Sequence, residues 1–206
     1  WNFNIQDRMT LGGRSGYEYF PKDDNYLYAI AQWFPRMAPY DDLEGWQNKQ
    51  FLGTGEFALE FGDYKVKLTV PEAFMVGATG WLQNPKEVLS AQEIERFELA
   101  KKTFDKPVMI RTQAEAIANE KNKSANTKTW EFHADNVRDF AFACSRKFIW
   151  DAQAVQLSTK APLAMSYYPK EGNPLWELES TKAVANTLLG YSHFTIDYPY
   201  PVAISV

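Results

Sequence analysis

The sequence is poor in the residues that build most metal and redox sites. It contains one cysteine and two histidines in 206 residues. Cys144 is alone, so an intrachain disulfide is excluded, and its apolar neighbours indicate a buried structural thiol. His133 and His193 lie far apart, and no H-E-x-x-H pair would place two imidazoles on one helical face. We therefore expect both histidines to be structural.

Long apolar runs and blocks of like charge are also missing. The 22 basic and 26 acidic residues give a net charge of -4 and are spread along the chain. A nucleic-acid partner would call for a clustered basic surface, and a membrane span for about 20 consecutive apolar residues. The sequence predicts neither a nucleic-acid partner nor a membrane span.

Three local patterns suggest chemistry but have simpler interpretations. Residues 11–16, LGGRSG, lack the Lys-Ser/Thr ending of a phosphate-binding loop, and we interpret them as a turn. Asp41–Asp42 and Glu44 form a carboxylate cluster beside Trp46, for which a solvated loop is favoured. Arg138–Asp139 is either an ion pair in a strand or a functional charge, and the structural role is favoured. The sequence predicts no active site built from these residues alone.

Aromatic residues are abundant at 16%, which favours strands and extended contact surfaces. Alternation at residues 57–61 and again at 65–70 predicts two strands, with a hairpin turn at FGDY between them. Other β-rich stretches are residues 26–34, 74–82, 106–112 and 130–152, and a further hairpin joins 153–159 to 163–169.

Two longer helices are predicted. Ser90 and Glu93 have capping-box spacing, and Ile94, Phe97 and Phe104 follow at helical intervals, with Lys101 as a weaker member. A second helix covers residues 175–194, after Asn173-Pro174 as its N-terminal signal. A shorter helix is expected at residues 113–121, and an apolar strand, VAISV, at residues 202–206.

These patterns predict a mainly β fold in two parts. Residues 1–171 form an antiparallel β-sandwich or saddle with one or two inserted helices. Residues 172–206 supply a helix and a strand that open a second, α+β domain. Because VAISV has no evident partner, we expect the segment after Gly172 to be loosely held or to associate with another copy.

Several stretches resemble the N-terminal domain of the aminopeptidase N-like zinc metallopeptidases (gluzincins), with the nearest likeness to a bacterial branch. They are an Arg-Pro-rich loop, a strand ending in VP, an ATG strand and an aromatic strand, at residues 31–46, 55–71, 76–85 and 134–152. Residues 179–206 resemble the helix, aromatic-Pro corner and first strand of the thermolysin-like catalytic domain. The resemblance covers nearly the whole chain.

The resemblance implies a fragment of a hydrolase. In the family, the strand corresponding to residues 202–206 leads to a Gly-x-Met-Glu-Asn-type motif and then to the H-E-x-x-H zinc helix, and this sequence contains neither. We expect a chain that is truncated at both ends and carries no zinc ligand, with zinc bound in the full-length parent. The rest of the catalytic domain and a peptide substrate are the expected partners, and the family branch points to the periplasm or cell envelope.

The resemblance also implies one substrate-binding residue. In the family, the N-terminal domain covers the active-site cleft, and a Gln before an Arg helps to hold the free amino terminus of the substrate. Gln32, four residues before Arg36, is the best match, although the spacing differs by one from the family's usual pattern. The alternative is that Gln32 simply lies on a β surface.

Two other functions remain open at this stage. An aromatic-rich β-sandwich could bind carbohydrate or peptide through Trp33, Trp46, Trp81 and Trp130, which lie near predicted loops and strand ends. The parent could also be a peptidase-like scaffold without catalysis. The zinc-ligand positions that distinguish such a scaffold from an active peptidase would lie beyond Val206.

The first testable prediction concerns zinc. Because its two histidines are far apart and outside any known ligand motif, the 206-residue chain should retain no stoichiometric zinc after dialysis. Elemental analysis of the dialysed protein measures this directly. One zinc per chain would show that the assignment is wrong.

Overall fold

The computed structural model describes residues 2–11, 15–49 and 58–206. Thirteen strands are present in this part of the chain. They are β1 (Gly16–Phe20), β2 (Asn25–Ile30), β3 (Tyr40–Asp41), β4 (Gly45–Trp46), β5 (Gly62–Pro71), β6 (Met75–Ala78), β7 (Trp81–Leu82), β8 (Val108–Arg111), β9 (Thr127–Val137), β10 (Phe142–Ser145), β11 (Ile149–Ala154), β12 (Leu163–Tyr168) and β13 (Val202–Ser205). The helices are α1 (Arg8–Leu11), α2 (Pro85–Val88), α3 (Ala91–Ala100), α4 (Gln113–Asn119) and α5 (Leu175–Phe194), with a 3₁₀ turn at Lys170–Gly172.

The strands form three sheets and one separate hairpin. The orders are β1-β2-β10-β6, β13-β12-β11-β8 and β5-β9-β7, and β3 pairs with β4. All named strand pairs are antiparallel except β12 and β13. The prediction of a mainly β, antiparallel fold with few helices is therefore confirmed.

One apolar core joins the three sheets. Its members include Val76 from the first sheet, Trp150 from the second and Trp130 from the third, each almost completely buried. Aromatic contacts cross between the sheets and α3, because the ring centroid of Phe97 lies 5.2 Å from that of Trp150 and 5.8 Å from that of Trp81. Burial of such large side chains stabilises the fold by roughly 1.5–3 kcal/mol for each of them.

The capping box predicted for α3 is confirmed. The Glu93 amide donates to Ser90 Oγ at 3.3 Å, and the Ser90 amide donates to Glu93 Oε2 at 2.8 Å. The helix ends at Ala100, so the predicted apolar face is shorter than expected and Phe104 is 46% exposed. Lys101 lies at the end of the helix with its ammonium 4.5 Å from the Phe97 ring, which explains its position on the apolar side.

The predicted hairpin at FGDY is wrong. Gly62 and Tyr64 already belong to β5, whose partner is β9, and Ala58–Phe61 are not in a strand. The register of β5 shifts between Gly62 and Tyr64, so the Gly-Asp pair marks an irregularity in a strand rather than a turn. Residue 57, which the predicted first strand also included, lies outside the described residues.

The C-terminal segment is packed onto the second sheet. The inner side of α5 buries Thr181, Ala185 and Leu188, and β13 pairs in parallel with β12 from Leu163↔Val202 to Ser166↔Ser205. The final strand thus has a partner on one side, contrary to the expectation of an unpartnered strand, because α5 is long enough to return the chain beside β12. The boundary at residues 171–172 stays a prediction.

A group of charges around a buried lysine joins four segments of the chain. The side chain of Lys147 is completely buried, and its ammonium lies 2.5 Å from Asp23, 3.0 Å from Glu120 and 2.9 Å from Glu171. Lys170 contacts Asp23 at 3.0 Å and Glu120 at 2.7 Å. Hydrogen bonds from Lys147 and Lys170 lower the pKa of Asp23 to about 2. We call these five side chains the Lys147 cluster.

A second buried polar group attaches α5 to the sheet. Asp151 is 1% exposed, and its carboxylate accepts hydrogen bonds from Tyr168 at 2.5 Å and from the Thr181 hydroxyl. Thr181 also contacts Ser166 at 2.7 Å. Burial raises the pKa of Asp151 above its ordinary value. The carboxylate is held by two hydroxyl groups, and it fixes the rotation of α5 on the sheet.

We predict that Asp151→Asn is at least as stable as the parent at neutral pH. Because the folded-state pKa of Asp151 is raised, the parent loses stability as the pH rises from the unfolded-state pKa through the folded-state pKa. The Asn variant lacks this loss, so its melting temperature relative to the parent should increase as the pH rises above the ordinary pKa of aspartate. Differential scanning fluorimetry as a function of pH measures the difference.

The control for this prediction is Asp151→Leu. Leucine leaves the buried hydroxyl of Tyr168 without an acceptor, which costs about 1–3 kcal/mol at every pH. A parent that gains stability relative to Asp151→Asn as the pH rises would contradict the prediction.

Candidate functional site

A cleft of about 840 Å³ lies between the first and third sheets and the C-terminal corner. Its walls come from the end of β2, the turn between β6 and β7, the end of β9 and β13. Gly80 has a φ of 88°, and a Cβ there would lie 2.4 Å from the carbonyl oxygen of His133. Only glycine allows this close approach of the turn to β9, which shapes one wall of the cleft.

Aromatic and apolar groups form most of the cleft, and polar groups lie around them. The Tyr200 hydroxyl donates to the carbonyl of Asn136 at 2.9 Å, which ties the C-terminal corner to the end of β9. His133 contacts Asp135 with 3.1 Å between Nε2 and Oδ1. The Arg138 guanidinium lies 4.7 Å from the centre of the Phe61 ring. This composition is typical of a ligand site, which combines apolar walls with a few polar groups.

Gln32, the predicted substrate-binding residue, adjoins this cleft. Ile30 and Ala31, which precede it, line the cleft, while Gln32 itself lines a neighbouring pocket of about 380 Å³ together with residues 2–6. The φ of Gln32 is 54°, in the left-handed region. Glutamine rarely adopts this conformation, and such strain is concentrated at functional sites. Gln32 lies in a bend after β2 and not within a strand.

The backbone on both sides of Gln32 is held by polar contacts. Before it, the Ala31 amide donates to Ser15 Oγ at 2.7 Å, and the Ser15 hydroxyl donates to the Ala31 carbonyl. After it, Trp33 Nε1 donates to the Phe140 carbonyl at 2.9 Å. Further along, the Arg36 guanidinium donates to Asp139 Oδ2 at 2.9 Å. The left-handed residue is thus fixed from both directions.

Arg138 and Asp139 do not form the ion pair that was one interpretation of the sequence. Asp139 binds Arg36, and Arg138 stacks on Phe61. Both residues lie beyond the end of β9, with Arg138 in a bend, and the two side chains find different partners. No local pattern predicts the contact between Arg36 and Asp139, because the two residues are distant in the chain.

The remaining candidate residues have structural environments. Burial raises the pKa of the Cys144 thiol to about 12, so it is a poor nucleophile. His193 lies at the end of α5 with its ring centroid 4.9 Å from that of Phe194. Asp41 accepts hydrogen bonds from the amides of Leu43 and Glu44, as expected of a turn. Of the possible phosphate loop, only part lies within the described residues.

Neither a metal centre nor a membrane-spanning segment is found in the part of the chain that the structure describes. Among these residues, no three side chains of His, Cys, Asp or Glu lie close enough together to hold a metal ion. Within the same residues, no helix has both the length and the apolar character needed to cross a bilayer.

The four tryptophans considered for ligand binding have different environments. Trp130 is 1% exposed, and Trp33 and Trp81 are half-buried. Trp46 is 64% exposed and packs edge-on against Tyr40, with 5.3 Å between ring centroids. The exposed aromatic surface is therefore limited, among these four, to the β3–β4 hairpin.

Comparison with known proteins gives no match to a family model, to a curated protein or to a solved structure.

We predict that Gln32→Gly is more stable than Gln32→Ala. Both substitutions remove the side-chain amide, but only alanine must hold a Cβ in the left-handed region. The free energy of unfolding of the glycine variant should therefore be about 1 kcal/mol larger than that of the alanine variant. Urea unfolding of the two variants measures the difference.

The matched control is the same pair of substitutions at Asn186, an exposed residue within α5. There the order should reverse, with glycine less stable than alanine by about 1 kcal/mol. If glycine is also the less stable residue at position 32, the strain at Gln32 is not supported.

Proposed function

We propose that this chain is the N-terminal β region and the first helix and strand of a zinc-dependent aminopeptidase. In this proposal the β region covers the active-site cleft of the parent enzyme, and Gln32 helps to hold the free amino terminus of the peptide substrate. The observation that carries the proposal is the left-handed backbone of Gln32, which lies next to the 840 Å³ cleft and within one residue of the spacing that the sequence resemblance implies.

The chemistry of an exopeptidase explains why a glutamine would be useful there. The substrate presents a primary ammonium group, which has three hydrogen-bond donors and needs acceptors. An amide oxygen supplies one acceptor without adding charge to the site. A hydrogen bond to a charged group contributes about 1.5–3 kcal/mol, enough to discriminate a free amino terminus from a blocked one.

The surface of the C-terminal segment also supports the proposal. The outer side of α5 and the corner that follows it expose large apolar side chains over a stretch, residues 183–196, that contains no Asp, Glu, Lys or Arg. Charged residues are depleted at the centres of protein contacts. A further layer of catalytic-domain chain would cover this surface. The exposed large apolar residues of this stretch are Leu189, Tyr191, Phe194 and Ile196.

The catalytic step itself would belong to the zinc site of the parent. Zinc in such sites polarises the scissile carbonyl and activates water, and a nearby carboxylate acts as general base. The described residues of this chain would contribute binding and exclusion of longer substrates.

A binding module is the second candidate, and one observation favours it. Trp46 and Tyr40 expose their rings together on the β3–β4 hairpin, where an aromatic surface could hold carbohydrate or peptide. A peptidase-like scaffold without catalysis is the third candidate, and it differs from the first only in the zinc ligands of the parent.

The test of the proposed function uses the complete polypeptide that contains this sequence. Its coding sequence is read past Val206, and the expressed protein is assayed on a peptide with a free amino terminus and on the same peptide acetylated. We expect hydrolysis of the free peptide alone, loss of activity with a zinc chelator and recovery with added zinc. Gln32→Ala should lower kcat/KM about tenfold or more, the equivalent of one hydrogen bond to a charged group.

Other outcomes decide between the alternatives. An H-E-x-x-H motif with altered ligands and no hydrolysis would favour the scaffold. A stop codon directly after Val206 would favour the binding module. Equal hydrolysis of the acetylated peptide would contradict recognition of the amino terminus.

A further inference from the structure

The left-handed backbone of Gln32 requires neighbours that hold it. A non-glycine residue in this region costs about 1–3 kcal/mol and persists only where the surrounding structure fixes it. A free loop at this position would relax to negative φ. The contacts on either side of Gln32 are therefore the cause of its conformation.

On the N-terminal side, Ser15 contacts both the amide and the carbonyl of Ala31. This pair of bonds extends the edge of the first sheet by one residue beyond Ile30, the end of β2. The backbone position of Ala31 is therefore fixed on the N-terminal side of Gln32.

On the C-terminal side, two contacts reach the segment that leads into β10. Trp33 donates to the Phe140 carbonyl, and Arg36 binds Asp139. The Trp33 ring also packs edge-on against Phe142 of β10, with 5.6 Å between centroids. Because β10 is a central strand of the first sheet, these contacts give the segment after Gln32 a rigid support.

Asp139 is already engaged by its own neighbours. Its Oδ2 accepts from Arg36, and its Oδ1 accepts from the amide of Phe140 at 2.8 Å. The Arg36 guanidinium balances its charge. Asp139 therefore suits a positioning role better than direct contact with a cationic substrate.

We propose that Ser15 and Asp139 are positioning residues, which hold Gln32 in its left-handed conformation so that its amide is set in advance for a primary ammonium group. This inference rests on the proposed function for the identity of the ligand. The conformational part concerns the chain alone. Setting the amide in advance reduces the ordering that substrate binding requires.

The conformational test uses the 206-residue chain. The intraresidue HN–Hα NOE of Gln32, which is strong only at positive φ, reports the sign of its φ, and the three-bond HN–Hα coupling reports its size. We expect a left-handed Gln32 in the parent and a change towards negative φ in the double variant Ser15→Ala/Asp139→Asn. Ser124→Ala and Asp41→Asn are matched controls, since both remove or weaken hydrogen bonds in turns elsewhere and should leave Gln32 unchanged.

The free energies of unfolding of the variants give a second readout, which does not require assignment of the NMR spectrum. In the double variant, the advantage of glycine over alanine at position 32 should disappear, because the backbone has relaxed. Asp139→Glu, which can keep the ion pair with Arg36, should restore a left-handed Gln32 in part. Retention of the left-handed signature and of the full glycine advantage in the double variant would overturn the inference.

The functional readout uses the complete polypeptide. Asp139→Asn should raise KM for the free peptide with a smaller change in kcat, and should add little to Gln32→Ala when the two are combined. If the polypeptide has no aminopeptidase activity, the proposed function fails while the spectroscopic result still decides the positioning role. If it is active and Asp139→Asn and Ser15→Ala leave KM unchanged, the positioning role fails while the proposed function stands.

Discussion

The ammonium group of Lys147 is the interaction on which the arrangement of the sheets depends. It lies in the short connection between β10 and β11, which belong to different sheets, and its side chain is completely buried. Carboxylates from the turn after β1, the end of α4 and the 3₁₀ turn before α5 surround it. Replacing Lys147 by an apolar residue would leave three carboxylates with Lys170 as the one remaining cation of the cluster, and an uncompensated charge at a buried group such as Glu120 costs about 3–5 kcal/mol. The two sheets are therefore fixed relative to each other by charge as well as by the apolar core.

The same short strand connects this cluster to the candidate site. Lys147 lies two residues after the end of β10, and Asp139 and Phe140, the two residues that hold the Gln32 segment, lie just before its start. Its register with β2 places Phe142 opposite Ile30, close to Gln32. A strand of four residues thus relates the strained backbone at one end to the buried charges at the other. Rigid elements of this kind suit a site whose geometry must be set before the ligand arrives.

Features encoded by nearby residues could be predicted, and features built from distant residues could not. The Ser90/Glu93 box and the bounds of α5 follow from local spacing, and both agree with the structure. The Thr112/Glu115 box of α4 has the same local signature. At FGDY the local signal was misleading, because glycine and aspartate suit a strand irregularity as well as a turn.

In the candidate site, too, only the features encoded by nearby residues could be predicted. Gln32 could be selected from a motif, but its left-handed φ depends on Ser15, Phe140 and Asp139, none of which is adjacent in the sequence. The Lys147 cluster likewise combines residues from four separate segments. Long-range polar contacts leave no periodic pattern in a sequence, so neither could be predicted without the fold.

The pairing of β2 with β10 has a consequence for synthesis on the ribosome. The β1–β2 hairpin, with its four contacting tyrosines, emerges early, but its partner strand ends only at Ser145. Strand β5 likewise cannot pair until its partner β9 has been synthesised. Contacts between such distant strands form slowly because a long loop must close first. At about 5–20 residues per second, the nascent chain exposes an aromatic strand edge for several seconds, and unpaired edges of this kind make partly folded chains prone to aggregate.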